Sequence, residues 1–267
     1  MTYKEIEIET RFDGKLKIAK LNQPESYNSL TKLMLTEIRE FMEACDQDEN
    51  VRCIALTGEG KAFCAGQNLK EAIEFSKDVK NDKTVEKMVL NYYNPMVHSI
   101  VSNSKPVIAL VNGAAVGAGA MLALIADFAL AKSSAYFSQG FVKIGLIPDT
   151  AGTYFLPKLL GRQMAQYLAF TGKKISANEA KQLGMIADCF DDEEFDAKAE
   201  AVLAEITQLP TKAIELTKKA FNLSYSNSYE EQMKLESRIQ QEAAETEDFM
   251  EGIRAFLEKR QPVYKGK

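Results

Sequence analysis

An α/β fold is predicted by this 267-residue sequence, on three observations. Two short, nearly unbroken apolar runs, Cys53–Thr57 and Val107–Val111, have the length and composition of strands buried on both faces. Each is followed by a turn rich in glycine and alanine, and the second turn opens an apolar helix. Beyond Gly161 the apolar spacing becomes helical.

Taken in order, residues 1–21 read as a hairpin. Ile6 and Ile8 alternate with glutamates, Asp13-Gly14 makes the turn, and Leu16, Ile18 and Leu21 return. Leu30, Leu33, Met34, Ile38, Phe41, Met42 and Cys45 then repeat at three and four, an amphipathic helix with Asn28 or Ser29 as its N-cap. The strand at Cys53 runs into a turn from Gly58 to Gly66. Residues 70–87 are charged and weakly periodic, which suggests a mobile helix or lid-like insertion. A helix around Tyr92–Val101 precedes the second buried strand, the Asn112-Gly113 turn, and a helix from Gly117 through Ile125. Strand candidates follow at Phe128–Lys132 and Ala135–Gln139. Two capping boxes, Ser176-x-x-Glu179 and Ser228-x-x-Glu231, start later helices, the second running from Tyr229 to about Ala244. Phe249, Ile253, Phe256 and Leu257 mark another helical face. The division expected is an α/β core over residues 1–200 and a helical part over 201–267. So much apolar surface in the second part points to packing against a neighbouring chain as well.

Composition narrows the function. A chain 46% hydrophobic and 27% charged is neither disordered, fibrous nor a disulfide scaffold. A net charge of −5 gives no basic footprint for nucleic acid, and no apolar run reaches membrane-spanning length. The first residues lack the apolar core of a signal peptide, so a cytoplasmic protein is expected. Cys45, Cys53, Cys64 and Cys189 are scattered, with no C-x-x-C pair, which suggests neither a zinc site nor a disulfide frame. His98 is the only histidine and reads as a surface or satisfied core residue. Chemistry must rest on carboxylates, backbone donors or a cofactor.

Two turns are candidates for backbone donors: Phe63-Cys-Ala-Gly-Gln-Asn-Leu69 and Asn112-Gly-Ala-Ala-Val-Gly-Ala-Gly-Ala120. Small residues let N–H groups approach a ligand, and a helix N-terminus adds partial positive charge. Side by side they would suit an oxyanion hole; the plainer reading is tight packing at a turn. The glycine order at 113, 117 and 119 does not fit a dinucleotide fingerprint. The third feature is Asp149 in Gly145-Leu-Ile-Pro-Asp-Thr-Ala-Gly152. It is either a helix N-cap or a carboxylate held among Ile144, Leu146, Ile147 and Phe155, its pKa raised for acid–base work.

These segments, with Asn22–Leu30, Lys105–Gly119 and Phe256-Leu-Glu-Lys-Arg260, resemble in order and over nearly the whole chain the crotonase (enoyl-CoA hydratase/isomerase) superfamily. Phe63–Asn68, Tyr93-Asn-Pro, Gly117–Ala120 and Leu146–Asp149 are most similar to its phenylacetate-pathway ring-epoxide isomerase and enoyl-CoA isomerase branch. The resemblance implies a ββα spiral core that binds acyl-CoA, a C-terminal helical trimerisation region, and assembly as a homotrimer or hexamer. It implies an acyl-CoA thioester substrate, with coenzyme A part of the substrate and no separate cofactor or metal. The backbone N–H groups of Gln67 and Ala118 would hold the thioester oxygen, and Asp149 would be the catalytic acid/base. Ala65, Asn68, Leu69, Gly117 and Lys259 would line the substrate and CoA site. Lys259 and Arg260 are equally well explained as a basic helix end. Tyr93 and Asn94 receive no role.

One departure from the pattern matters. The two glutamates of the superfamily's hydratases fall at Met121 and Phe141, and neither side chain activates water. The expected activity is therefore movement of a double bond from 3-enoyl-CoA to 2-enoyl-CoA, conversion of 1,2-epoxyphenylacetyl-CoA to oxepin-CoA, or both. The alternatives are an enoyl-CoA hydratase, an aryl-CoA dehalogenase using Asp149 as nucleophile, and a non-catalytic CoA-binding subunit of a complex.

Overall fold

A computed structural model describes residues 2–76 and 82–267. Strands β1 (Ile6–Arg11) and β2 (Leu16–Leu21) form the expected hairpin, in register from Ile6 opposite Leu21 to Arg11 opposite Leu16. Helix α1 (Lys32–Gln47) buries Met34, Ile38, Phe41, Met42 and Cys45, while Leu33 of the same repeat stays exposed. Its N-cap is Thr31, whose hydroxyl accepts from Met34 N–H at 3.0 Å, not Asn28 or Ser29. Asn28 is buried and committed elsewhere. Its Oδ1 accepts from Gln23 N–H at 2.9 Å, and its Nδ2 donates to the Glu59 and Ala62 carbonyls at 2.9 Å. That side chain ties the incoming loop to the first glycine turn.

The middle of the chain winds as a spiral. Strands β3 (Cys53–Gly58), β5 (Val107–Val111) and β7 (Phe128–Lys132) enter a six-stranded sheet ordered β1-β2-β3-β5-β7-β10, with β10 at Asp188–Phe190. All pairs in it are parallel except β1 with β2. After each comes a three-residue strand in a second sheet: β4 (Ala62–Cys64), β6 (Ala114–Val116) and β8 (Tyr136–Ser138). These are parallel, and β9 (Lys174–Ser176) closes that sheet antiparallel to β8. Each turn of chain thus gives one strand to each sheet, the ββα spiral that the resemblance implied. β4 and β6 lie inside segments read from sequence as turns. Three residues are too few for a periodicity, and their register comes from neighbouring turns of the spiral.

Helices α2 (Leu69–Ser76) and α3 (Thr84–Met88) flank residues 77–81, the part of the lid-like insertion that lies outside the described residues. A π-helical turn (Val89–Tyr93) leads into α4 (Asn94–Val101). Helix α5 (Ala118–Leu124) follows β6 and is wholly buried; α6 (Gly152–Thr171) follows β8. Then come α7 (Ala177–Gln182), α8 (Asp192–Ile206), α9 (Thr211–Ser224), α10 (Tyr229–Ala244) and α11 (Glu247–Glu258). Both capping boxes form as expected, at Ser176 with Glu179 and at Ser228 with Glu231. Helix α8 runs through residue 200, and the next helix begins at Thr211. The C-terminal segment is clamped to the sheet through Arg52, which donates to Thr211 Oγ1 at 2.9 Å, Leu209 O at 2.9 Å and Tyr264 O at 2.8 Å. Among the described residues no helix is long and apolar enough to cross a membrane.

Candidate active site

The two glycine turns touch each other because the spiral stacks β4 beside β6. Leu30 and Gln67 form an isolated bridge: Leu30 N–H donates to Gly66 O at 2.7 Å, and Asn68 N–H to Leu30 O at 3.0 Å. Those bonds use the peptide groups on either side of Gln67, so the Gln67 N–H faces the other way. Gly66 has φ +89°, and a Cβ there would stand 2.6 Å from Val116 O and 3.5 Å from Ala118 N. A Cβ on Gly119 would overlap the Cys64 carbonyl. Glycine at these two places is what allows the turns to approach. Gly117 is the N-cap of α5 and donates to Ser138 O at 2.8 Å, leaving Ala118 as first helical residue. A first-turn N–H has no partner within its helix. Among the described residues, neither Gln67 N–H nor Ala118 N–H has a protein acceptor.

Asp149 is half-buried on the loop before α6, and it is not that helix's N-cap. Ala151 holds the N-cap position, without a side-chain bond, and Thr150 and Ala151 both have left-handed φ, 52° and 59°. Two adjacent non-glycine residues in that region carry strain that an ordinary helix start does not need. The Thr150 hydroxyl donates to Asp149 Oδ1 at 2.9 Å. Burial pushes the Asp149 carboxyl above its ordinary value, and the Thr150 bond opposes it. The apolar surroundings differ from those expected. Ile144, Leu146 and Ile147 are exposed, Ile147 at 74%, so they do not enclose the carboxylate.

Met121 and Phe141 are buried beside these turns. A Cβ on Gly152 would lie 3.3 Å from Met121 Cγ and Sδ and 2.9 Å from Pro148 Cβ, which puts Met121 against the Asp149 loop. Phe141 Cζ is 3.9 Å from where a Gly117 Cβ would be. A cleft of about 560 Å³ between α6 and α9 contains none of these residues. The sequence pattern of the enoyl-CoA hydratase/isomerase family matches residues 12–267. The chain belongs to that family.

A 1,2-epoxyphenylacetyl-CoA isomerase of Escherichia coli K12 is 39% identical over 92% of this chain and 94% of its own length. A probable enoyl-CoA hydratase of Rhodobacter capsulatus is 38% identical over 94% of this chain and 95% of its own. The crystal structure of an enoyl-CoA hydratase from Bacillus anthracis superposes with TM-score 0.92 at 31% identity, covering 99% of this chain and 100% of that one. The described fold is the crotonase fold, with its mixed α/β spiral. Among the members, then, both isomerases and hydratases are similar to this chain.

Within this crotonase frame the remaining sequence candidates fall into two groups. Ala65 and Gly117 sit in the touching turns, and Ala65 N–H donates to Tyr27 O at 2.9 Å. The Asn68 side chain caps α2: its Oδ1 accepts from Lys70 N–H at 3.0 Å and Glu71 N–H at 3.3 Å, and its Nδ2 donates to Ser29 Oγ at 3.0 Å. Leu69 is exposed as the first residue of α2. Lys259 is exposed at the end of α11 in a left-handed conformation, φ 55°. Arg260 is held by Glu251 at 2.5 and 2.9 Å and by Glu258 at 2.6 Å, which leaves its charge paired. His98 is exposed on α4. Cys45, Cys53, Cys64 and Cys189 are free, and burial pushes the thiols of Cys45 and Cys64 up to about 12. Sequence reasoning missed two groups. Thr150 holds the Asp149 carboxylate, and the Tyr93 hydroxyl is buried with no hydrogen-bond partner among the described residues. The proline two residues after Tyr93 was the available signal, since a residue without an N–H disturbs the helical ladder around it.

Proposed function

We propose that this enoyl-CoA hydratase/isomerase family member is an acyl-CoA isomerase that moves a double bond from the 3,4 to the 2,3 position. The observation that carries the reading is the pairing of Asp149, half-buried and followed by the strained Thr150 and Ala151, with Met121 and Phe141 at the places of the hydratase glutamates. The N–H groups of Gln67 and Ala118 would polarise the thioester carbonyl and stabilise the enolate formed when a C2 proton leaves. Asp149 accepts that proton, the electron pair delocalises over C2 to C4, and Asp149 returns a proton at C4. No atom is gained or lost. A carboxylate with a raised pKa is the stronger base for the first step and is still able to give its proton back. The 39% identity to the E. coli 1,2-epoxyphenylacetyl-CoA isomerase supports a second substrate, 1,2-epoxyphenylacetyl-CoA, converted to oxepin-CoA with the same two donors and the same carboxylate. The exposed apolar face of α11, with Phe256 83% exposed, supports assembly into homotrimers or hexamers.

The test is turnover of 3-hexenoyl-CoA in deuterated buffer by wild type and Asp149→Asn, followed by mass spectrometry. Wild type is expected to give 2-hexenoyl-CoA with solvent deuterium, and the variant to lose about 10²–10⁴ in rate. A folded wild type that binds the ester and leaves it unconverted sinks the proposal. A covalent acyl-aspartate on Asp149 would replace it with the nucleophile mechanism.

A further inference from the structure

Tyr93 ends the π-helical turn in which Asn94 N–H reaches back to Val89 O, five residues rather than four. Such a widened turn is held at some cost and recurs at functional positions. Its side chain is 1% exposed, yet its hydroxyl has no partner among the described residues. A buried hydroxyl left unpaired is a second cost at the same residue, and packing alone would be served as well by phenylalanine. Both costs are explained if the hydroxyl meets a partner that arrives from outside. The hydroxyl also lies within electrostatic reach of Asp149, of Cys64 in the first of the touching turns, and of Glu71. Burial first, and the Asp149 charge second, push the phenol well above its usual value, so the oxygen keeps its proton and is a donor. The negative charge already present there disfavours a second carboxylate as the incoming group.

We propose that the Tyr93 hydroxyl donates a hydrogen bond to an uncharged oxygen borne by the acyl part of the substrate. It thereby selects oxygen-bearing acyl groups over plain hydrocarbon ones. The inference rests on the acyl-CoA isomerase reading for the location of the acyl group, and it adds a residue that discriminates between substrates of that class. A site built to hydrogen-bond an oxygen rejects the analogue that lacks it, because its own polar group is then left unpaired.

The experiment compares the Kd of 2-hydroxyphenylacetyl-CoA with that of phenylacetyl-CoA, by titration calorimetry, for wild type and Tyr93→Phe. Wild type is expected to favour the oxygenated ester by about tenfold, and the variant by less than about twofold. The melting temperature of Tyr93→Phe is expected to equal or exceed that of wild type, since an unpaired buried group has been removed. An equal preference in both proteins overturns the proposal. So does a lower melting temperature in the variant, which would show that the hydroxyl is held by a structural partner. Binding ratios do not depend on turnover, so the failure of the isomerase reading in the deuterium experiment is distinguishable from failure here.

Discussion

Replacing Ala118 by proline removes one N–H and little else that the fold uses. Ala118 is the first residue of α5, where proline's fixed φ is compatible with the helix and the missing N–H breaks no intrahelical bond. The residue before it is glycine at φ 55° and ψ −125°, free of the Cβ clash that normally restricts a residue ahead of proline. The fold should therefore survive, with a melting temperature within a few degrees of wild type. The catalytic loss should be large. Deleting one oxyanion donor costs about 10²–10³ in rate, or about 2.7–4 kcal/mol of transition-state stabilisation. The ring Cδ also stands along the former N–H direction, so it excludes the thioester oxygen from the remaining donor on Gln67. The assay is kcat/KM for 3-hexenoyl-CoA beside a thermal melt, with Gly119→Ala as the contrasting variant. That methyl overlaps the Cys64 carbonyl and should destabilise by about 1–3 kcal/mol. A folded Ala118→Pro enzyme that keeps more than a tenth of wild-type kcat/KM would refute the oxyanion assignment.

Three further outcomes are expected. The Asp149 carboxyl is raised by burial, so its folded form binds a proton more tightly than the unfolded chain does. Its favourable contribution is present below the unfolded pKa and is lost as pH rises through the folded one. Asp149→Asn should then melt above wild type at neutral pH, with the gap closing on acidification; equal melting temperatures across pH would count against the burial argument. Thr150→Val removes the bond that lowers the same pKa, so the acid limb of kcat/KM should move to higher pH, and an unmoved limb would show that Thr150 does not tune the carboxylate. Arg52→Ala leaves Leu209 O and Tyr264 O without their donor and should cost about 3 kcal/mol, read as a lower melting temperature and faster proteolysis of residues 261–267.

The hairpin, the two buried strands and both capping boxes were legible because each is specified by neighbours in the chain. Asp13-Gly14 is a turn by its own chemistry, and Ser228 with Glu231 satisfies two N–H groups within one helical turn. The N-cap of α1 was misplaced because Asn28 has the right chemistry for a cap and is claimed by Glu59 and Ala62, more than thirty residues on. Asn68 shows the converse case. Its position in the motif is family-like, while its side chain is used up locally on α2.

Motif order determined the family, and the presence of Met121 and Phe141 is likewise read directly from the sequence. Those are properties of residue identity, and a linear sequence states them completely. What tertiary structure decided is which groups remain unsatisfied. The Gln67 and Ala118 N–H groups are open because the spiral brings two glycine turns into contact and bonds their neighbours to Leu30 and Ser138. Asp149 is held by Thr150 in a strained loop and freed from capping, and the Tyr93 hydroxyl is buried with no partner among the described residues. Whether a donor or acceptor is spent depends on every group that could reach it, and those groups come from distant parts of the chain.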